Sequence, residues 1–225
     1  AMEGYIVPEP TQKDNSNYHI MLIPTSDKAR KKLNKASSRA NREGYYYKPR
    51  LFLEDLLNFK EDELYITNAC VGGLLRDDIS TNQIAIPLIK HFKQHFLVEV
   101  QSHNTTKQKE MNKKAIQIAN EYNLRLIHAN DSHYIYEGDS KWRDILLEGK
   151  GMKYEDEEGF ILDYPDSDTI VKRYKKQGIL NDVQIKEALE STLIFDNIVN
   201  LVIDKKIKMP NINKLLTPEQ RIEKL

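Results

Sequence analysis

The sequence predicts an α/β fold built on a largely parallel sheet or barrel. Three observations carry that reading. Short apolar, branched runs alternate with longer amphipathic stretches, no internal repeat or low-complexity block breaks the alternation, and 225 residues suffice for one substantial core. The candidate strands, in order, are Glu3 to Val7, His19 to Pro24, Leu64 to Ala69, Phe96 to Gln101 and Leu124 to Ala129. Helical windows lie between and after them: Asp27 to Arg42, Ile84 to Phe92, Thr106 to Tyr122 (closed by Asn123), Ser167 to Gln177 and Asp182 to Asn200. The first window places Ala29, Leu33, Ala36 and Ala40 on one stripe and Lys or Arg over the remainder. Ser26 or Asp27 caps its start and Gly44 ends it. Residues Gly149 to Pro165 show neither period and read as a loop, after which the last helices pack on the same sheet. Thr217-Pro218 marks a turn before a final helical start.

Composition narrows the function. Lys plus Arg equals Asp plus Glu, 34 each, so no global field holds nucleic acid and any basic surface is local. One such surface is the helix over Asp27 to Arg42, where Lys31, Lys32 and Lys35 are candidates for DNA-backbone contact. A single cysteine excludes an internal disulfide framework and suits a reducing compartment. With no long apolar run and no leader pattern, a cytoplasmic protein without membrane contact is expected. Ala1-Met2 has the look of a tag scar before a coding start.

The residues with chemistry gather at strand ends. In Asn130-Asp131-Ser132-His133-Tyr134, Asp131 and His133 stand two apart after an apolar run, so a continuing strand would point both to one face. An Asp oxygen and a His nitrogen suit Zn or Mn, while the bland alternative is a turn-capping Asp and an ordinary loop His. Glu3, His19 and Cys70 also lie at or near strand ends, the rim where parallel α/β folds place their sites. His103 follows the fourth strand as a residue supporting the site or touching substrate. His128, by strand alternation, faces away. Val71-Gly72-Gly73 lacks the Lys and Ser/Thr of a phosphate loop, and no Ser/His/Asp elbow is present.

Taken in order, Tyr18-His19-Ile20-Met21-Leu22, Glu43 to Arg50 (Glu-Gly-Tyr-Tyr-Tyr-Lys-Pro-Arg), Asn68-Ala69-Cys70, Val98 to His103 and Asn130 to Tyr134 resemble the polymerase and histidinol phosphatase (PHP) domain of bacterial, or phage-type, DNA polymerase III alpha subunits. The resemblance runs from about Glu3 to about Asp204. It implies a distorted (β/α)7 barrel, here incomplete and followed by carboxy-terminal helices, with a cleft lined by nine ligand-type residues for Zn or Mn. Glu3, His19, Cys70, Asp131 and His133 match five of them, while His103, Asn130 and Arg50 fall in matching motifs as supporting or substrate residues. The family's opening histidine motif would precede Glu3, so the chain reads as amino-terminally truncated. Residues 1–204 are then a partial PHP domain, and 205–225 the start of a linker or helix toward an absent polymerase palm, to which Mg would belong.

The implied activity of a complete domain is metal-dependent 3′ to 5′ exonuclease or phosphoesterase chemistry, in which clustered ions supply a hydroxide near neutral pH. Within a full polymerase, the partners would be DNA and other replisome subunits. The alternative is a non-catalytic structural or interaction module with an empty or degenerate cleft. The truncated barrel edge offers a route to self-association.

Overall fold

The computed structural model describes residues 1–152 and 159–196. The sheet holds seven strands: β1 (Met2–Ile6), β2 (Tyr18–Pro24), β3 (Tyr45–Tyr46), β4 (Lys48–Leu51), β5 (Leu64–Thr67), β6 (Phe96–Val100) and β7 (Leu126–His128), in the order β3-β4-β1-β2-β5-β6-β7. The helices are α1 (Asp27–Glu43), α2 (Leu53–Leu57), α3 (Asp78–Ser80), α4 (Ile86–Phe92), α5 (Thr106–Tyr122), α6 (Ser140–Gly149), α7 (Ser167–Gln177) and α8 (Asp182–Glu190).

The expected strands and helices appear within a few residues of their predicted bounds. Strand direction departs from expectation. β1–β4, β5–β6 and β6–β7 are parallel, but β1–β2, β2–β5 and β3–β4 are antiparallel, so the sheet is mixed. A parallel β1–β2 step would need a crossover, usually a helix, whereas the connection over residues 7–17 carries Pro8 and Pro10 and no helix. The helix expected over Asp182 to Asn200 stops at Glu190 and continues as a 3₁₀ segment, Ser191–Asp196. Residues from 197 on, with the expected linker over 205–225 and the Thr217-Pro218 turn, lie outside the described residues.

Local chemistry explains the best-defined element. The Ser26 hydroxyl accepts from the Ala29 amide at 3.1 Å, and Ala29, Leu33, Ala36 and Ala40 are the buried stripe of α1. Gly44 ends the helix at φ −103, so its need for glycine is spatial: a Cβ there would stand 2.3 Å from the Arg50 carbonyl oxygen.

The sheet has two unlike faces. Gly4 pairs with Ile20, Met2 with Leu22 and Val98 with Leu126, and this face joins Ile66, Phe96 and Val100 in the main core with residues of α1, α4, α5, α7 and α8. On the other face register brings Glu3 opposite Met21, Tyr5 opposite His19, Met21 opposite Thr67, Thr67 beside Leu97 and Glu99 beside Ile127. Polar side chains therefore collect on the side away from most helices. α6 is an exception to helix packing, since none of its residues is buried and Trp142, Ile145 and Leu146 are more than half exposed.

Candidate functional site

Register builds the first part of the site. Tyr5 and His19 are direct partners, their rings edge to face at 4.9 Å, and Glu3 is two residues from Tyr5 on the same face. Glu3 Oε1 lies 3.0 Å from His19 Nδ1, and Cys70 Sγ lies 3.7 Å from the same nitrogen. One ring nitrogen carries one proton or one lone pair, so Nδ1–H serves the carboxylate and the sulfur is at most a weak second acceptor.

Cys70 reaches His19 because the chain after β5 folds back sharply. Ala69 has φ +56, the Gly73 amide donates to the Cys70 carbonyl at 2.8 Å, Leu74 donates to Asn68 O at 3.0 Å, and His19 donates to Gly72 O at 3.1 Å. A Cβ on Gly73 would meet Asn68 O at 1.9 Å. The two glycines dismissed as a phosphate loop thus make the turn that delivers Cys70. Burial pushes the Cys70 thiol up to about 12, and the carboxylates of Asp131, Glu99 and Glu3 add to the rise.

Glu99 is the residue that sequence reasoning missed. Its Oε2 accepts from Thr67 Oγ1 at 2.7 Å and its Oε1 from Gln101 Nε2 at 3.0 Å. Its own amide donates to Asn68 Oδ1 at 2.6 Å. Desolvation raises its carboxyl pKa, opposed by those two hydrogen bonds and reinforced by Asp131 and Glu3. A glutamate inside Phe96-Leu97-Val98-Glu99-Val100 was the available signal, because a carboxylate in an apolar strand is costly without a purpose.

Asp131 and His133 stand with Oδ1 and Nε2 3.6 Å apart. The route to that proximity is a turn, since β7 ends at His128 and Asp131 has φ +55. A returning segment stitches the motif down: His133 and Tyr134 amides donate to Leu162 O at 2.8 and 3.2 Å, Leu162 N donates to Tyr134 OH at 2.9 Å, and Tyr164 N to Ile135 O at 3.1 Å.

The supporting residues occupy distinct places. His128 lies on the helix-covered face, with Nδ1 2.7 Å from Tyr174 OH and Nε2 2.8 Å from Asn130 Oδ1. The Asn130 oxygen only accepts, so the neutral ring carries its proton on Nε2 and donates it there, which leaves Nδ1 as an acceptor facing the Tyr174 hydroxyl. That hydroxyl also lies 2.9 Å from Val100 O. Asn130 is thereby spent on holding His128. His103 is buried, stacked at 4.3 Å on Phe160, and its Nε2 has no partner among the described residues. Burial pulls both imidazoles down to about 4, with the Arg173 charge adding to the fall at His103.

Arg50 sits apart from the Glu3 and Asp131 groups. Only 1% exposed, it donates to the carbonyls of Gly44, Asp14, Pro10 and Gln12, from Nε at 3.0 Å, Nη1 at 3.0 Å and Nη2 at 2.6 and 2.8 Å. It clamps the loop over residues 7–17. Of the lysines expected near DNA, Lys31 pairs with Asp27 at 2.6 Å and Lys32 with Glu63 at 3.0 Å, while Lys35 is exposed.

The donor chemistry of Glu3, His19, Cys70, Asp131 and His133 suits a divalent metal, but the geometry pairs them off. Among the described residues no three or more His, Cys, Asp or Glu side chains are arranged to hold one ion. As placed, these residues do not fit a closed metal site. No helix among the described residues is long and apolar enough to cross a membrane.

No protein-family model matches the chain. Curated relatives do. It is 31% identical over 203 residues to DNA polymerase III subunit alpha of Borreliella burgdorferi, covering 86% of this chain and 17% of that one. The Aquifex aeolicus subunit is 35% identical over 140 residues, 60% of this chain and 12% of that one, and the Thermus aquaticus subunit 27% over 140 residues, 60% and 11%. The chain thus spans less than a fifth of the length of these relatives. Over most of its own residues it is a homologue of part of DNA polymerase III alpha subunits.

Proposed function

We propose that this chain is a PHP-type module of a DNA polymerase III alpha polypeptide, acting in DNA replication as a structural or interaction unit rather than as a hydrolase. The observation that carries the reading is the similarity to the alpha subunit along 86% of the chain, joined to ligand-type residues that are paired with one another. In this reading the mixed sheet is part of a distorted (β/α)7 barrel, residues 1–204 are the module and 205–225 lead toward a polymerase body. DNA and replisome subunits are partners of the whole polypeptide, and self-association through the truncated barrel edge belongs to the same reading.

A second reading, a metal-dependent 3′ to 5′ exonuclease, is favoured by the proximity of Glu3, His19 and Cys70 and of Asp131 and His133. Zn or Mn would enter only with donors beyond these five. Elemental analysis of protein purified without chelator and then offered Mn or Zn, together with release of a 3′ label from single-stranded DNA, separates the two. The structural reading expects well under one ion per chain and no release above background. One tightly held ion per chain, with release that disappears in Asp131→Asn, would replace it by the exonuclease reading.

A further inference from the structure

Helix α7 is linked to the Asp131–His133 segment from both sides, through two consecutive residues and one intermediary on each side. Upstream, Tyr174 OH lies 2.7 Å from His128 Nδ1 and 2.9 Å from Val100 O, tying the last residue of β7 to β6. Downstream, Arg173 grips Asp163 with two parallel bonds, Nη1 to Oδ1 at 2.6 Å and Nη2 to Oδ2 at 2.8 Å. Asp163 is 7% exposed, and its backbone carbonyl accepts the Ser132 hydroxyl at 2.6 Å. Its neighbour Leu162 accepts both the His133 and Tyr134 amides. Between these anchors lies Asp131 in the left-handed region, a conformation disfavoured for a residue with a side chain, so it persists only where the surroundings over-determine it.

We infer that Arg173 and Tyr174 are positioning residues which lock the Asp131–His133 turn from outside, each holding one end. The planar guanidinium suits the downstream role, since a bidentate pair fixes the carboxylate in orientation as well as distance, and a lysine supplies charge without that constraint. The proposal goes beyond the module reading and concerns only how the Asp131–His133 turn is held; its test needs neither metal nor DNA, so the two can fail separately.

The test is amide hydrogen exchange of the full chain, followed residue by residue by NMR. In Arg173→Met the His133 and Tyr134 amides should exchange at least ~10-fold faster while Ala129, Val98 and Val100 hold their rates. Arg173→Lys should fall between Met and the native residue. In Tyr174→Phe the Ala129 amide, which donates to Val100 O at 3.2 Å, should quicken while His133 and Tyr134 do not. Because Arg173→Met leaves Asp163 charged and buried, the double variant Asp163→Asn/Arg173→Gln supplies a neutral background, and there too the downstream amides alone should loosen. Unchanged exchange at His133 and Tyr134 in Arg173→Met, equal acceleration throughout the sheet, or loosening of both ends by Tyr174→Phe would each overturn the two-point lock.

Discussion

Lowering the pH from 8 to 5 should cost this fold about 4 kcal/mol through two imidazoles, those of His103 and His128. Both are buried and held near 4 in the folded chain, against an ordinary value of 6.5. A depressed folded pKa means that the stability is fully present above the unfolded value and is lost as the pH falls toward the folded one. At pH 5 nearly every unfolded imidazole is protonated and few folded ones are, which amounts to about 2 kcal/mol and about one proton per histidine. The window from 6.5 to about 5 also lies above the acid range in which ion-paired carboxylates such as Asp27, Glu43 and Glu63, held below their ordinary values, begin to lose their contribution. Glu99 works in the opposite sense, because its raised folded pKa adds stability as the pH falls through it. Its share cancels when wild type is compared with His128→Gln. Urea unfolding followed by far-ultraviolet circular dichroism at several pH values gives both free energies and the linked proton count. Near pH 5.5 His128→Gln should take up about one proton fewer on unfolding than the wild type. If His128→Gln keeps the wild-type slope, His128 is not the buried neutral group described above, and the tautomer assigned to it fails as well.

Gly73→Ala should cost about 3 kcal/mol, because its Cβ meets backbone oxygens of Asn68 and Cys70 that cannot step aside; a urea-derived loss under roughly 0.5 kcal/mol would contradict the turn geometry. Arg50→Met removes four hydrogen bonds of a buried clamp, while the Gly44 and Gln12 carbonyls keep the Arg50 and Asp14 amides, and should cost about 3 kcal/mol, with limited proteolysis moving to residues 7–17. Unchanged stability together with an unchanged cleavage pattern would show that another group holds that loop. Cys70, its thiol pushed up to about 12, should react with a disulfide reagent at pH 8 on the order of fiftyfold more slowly in the native chain than in urea, the loss of thiolate being partly offset by its greater nucleophilicity. Comparable rates would contradict the raised thiol.

The alternation of period two and period 3.6 located the strands and long helices, and the Ser26 cap and the α1 stripe were legible because both are local. Strand direction was not, because the length and prolines of residues 7–17 decide it through a connection that periodicity does not describe. β3 and β4 are missing from the sequence reading for a similar reason: Glu43 to Arg50 stands out as a motif, and a two-residue strand has no period. The proximity of Asp131 and His133 was anticipated from strand alternation, whereas the chain achieves it with a left-handed residue and a segment 30 residues away. Nothing in the spacing of Asp163 and Arg173 announces that they support this turn. Glu99 is different, since its charge inside an apolar strand was visible from the start.

Trp142 is the single tryptophan of the chain, and it lies 61% exposed on α6, a helix that buries none of its residues. Its emission therefore reports on one surface and is nearly blind to the sheet, so denaturation followed at that wavelength would miss the loss of the core. The same position makes it a native sensor. With excitation beyond tyrosine absorption, a blue shift on mixing with a macromolecule that lacks tryptophan would mean that something has been laid over α6, with no label attached.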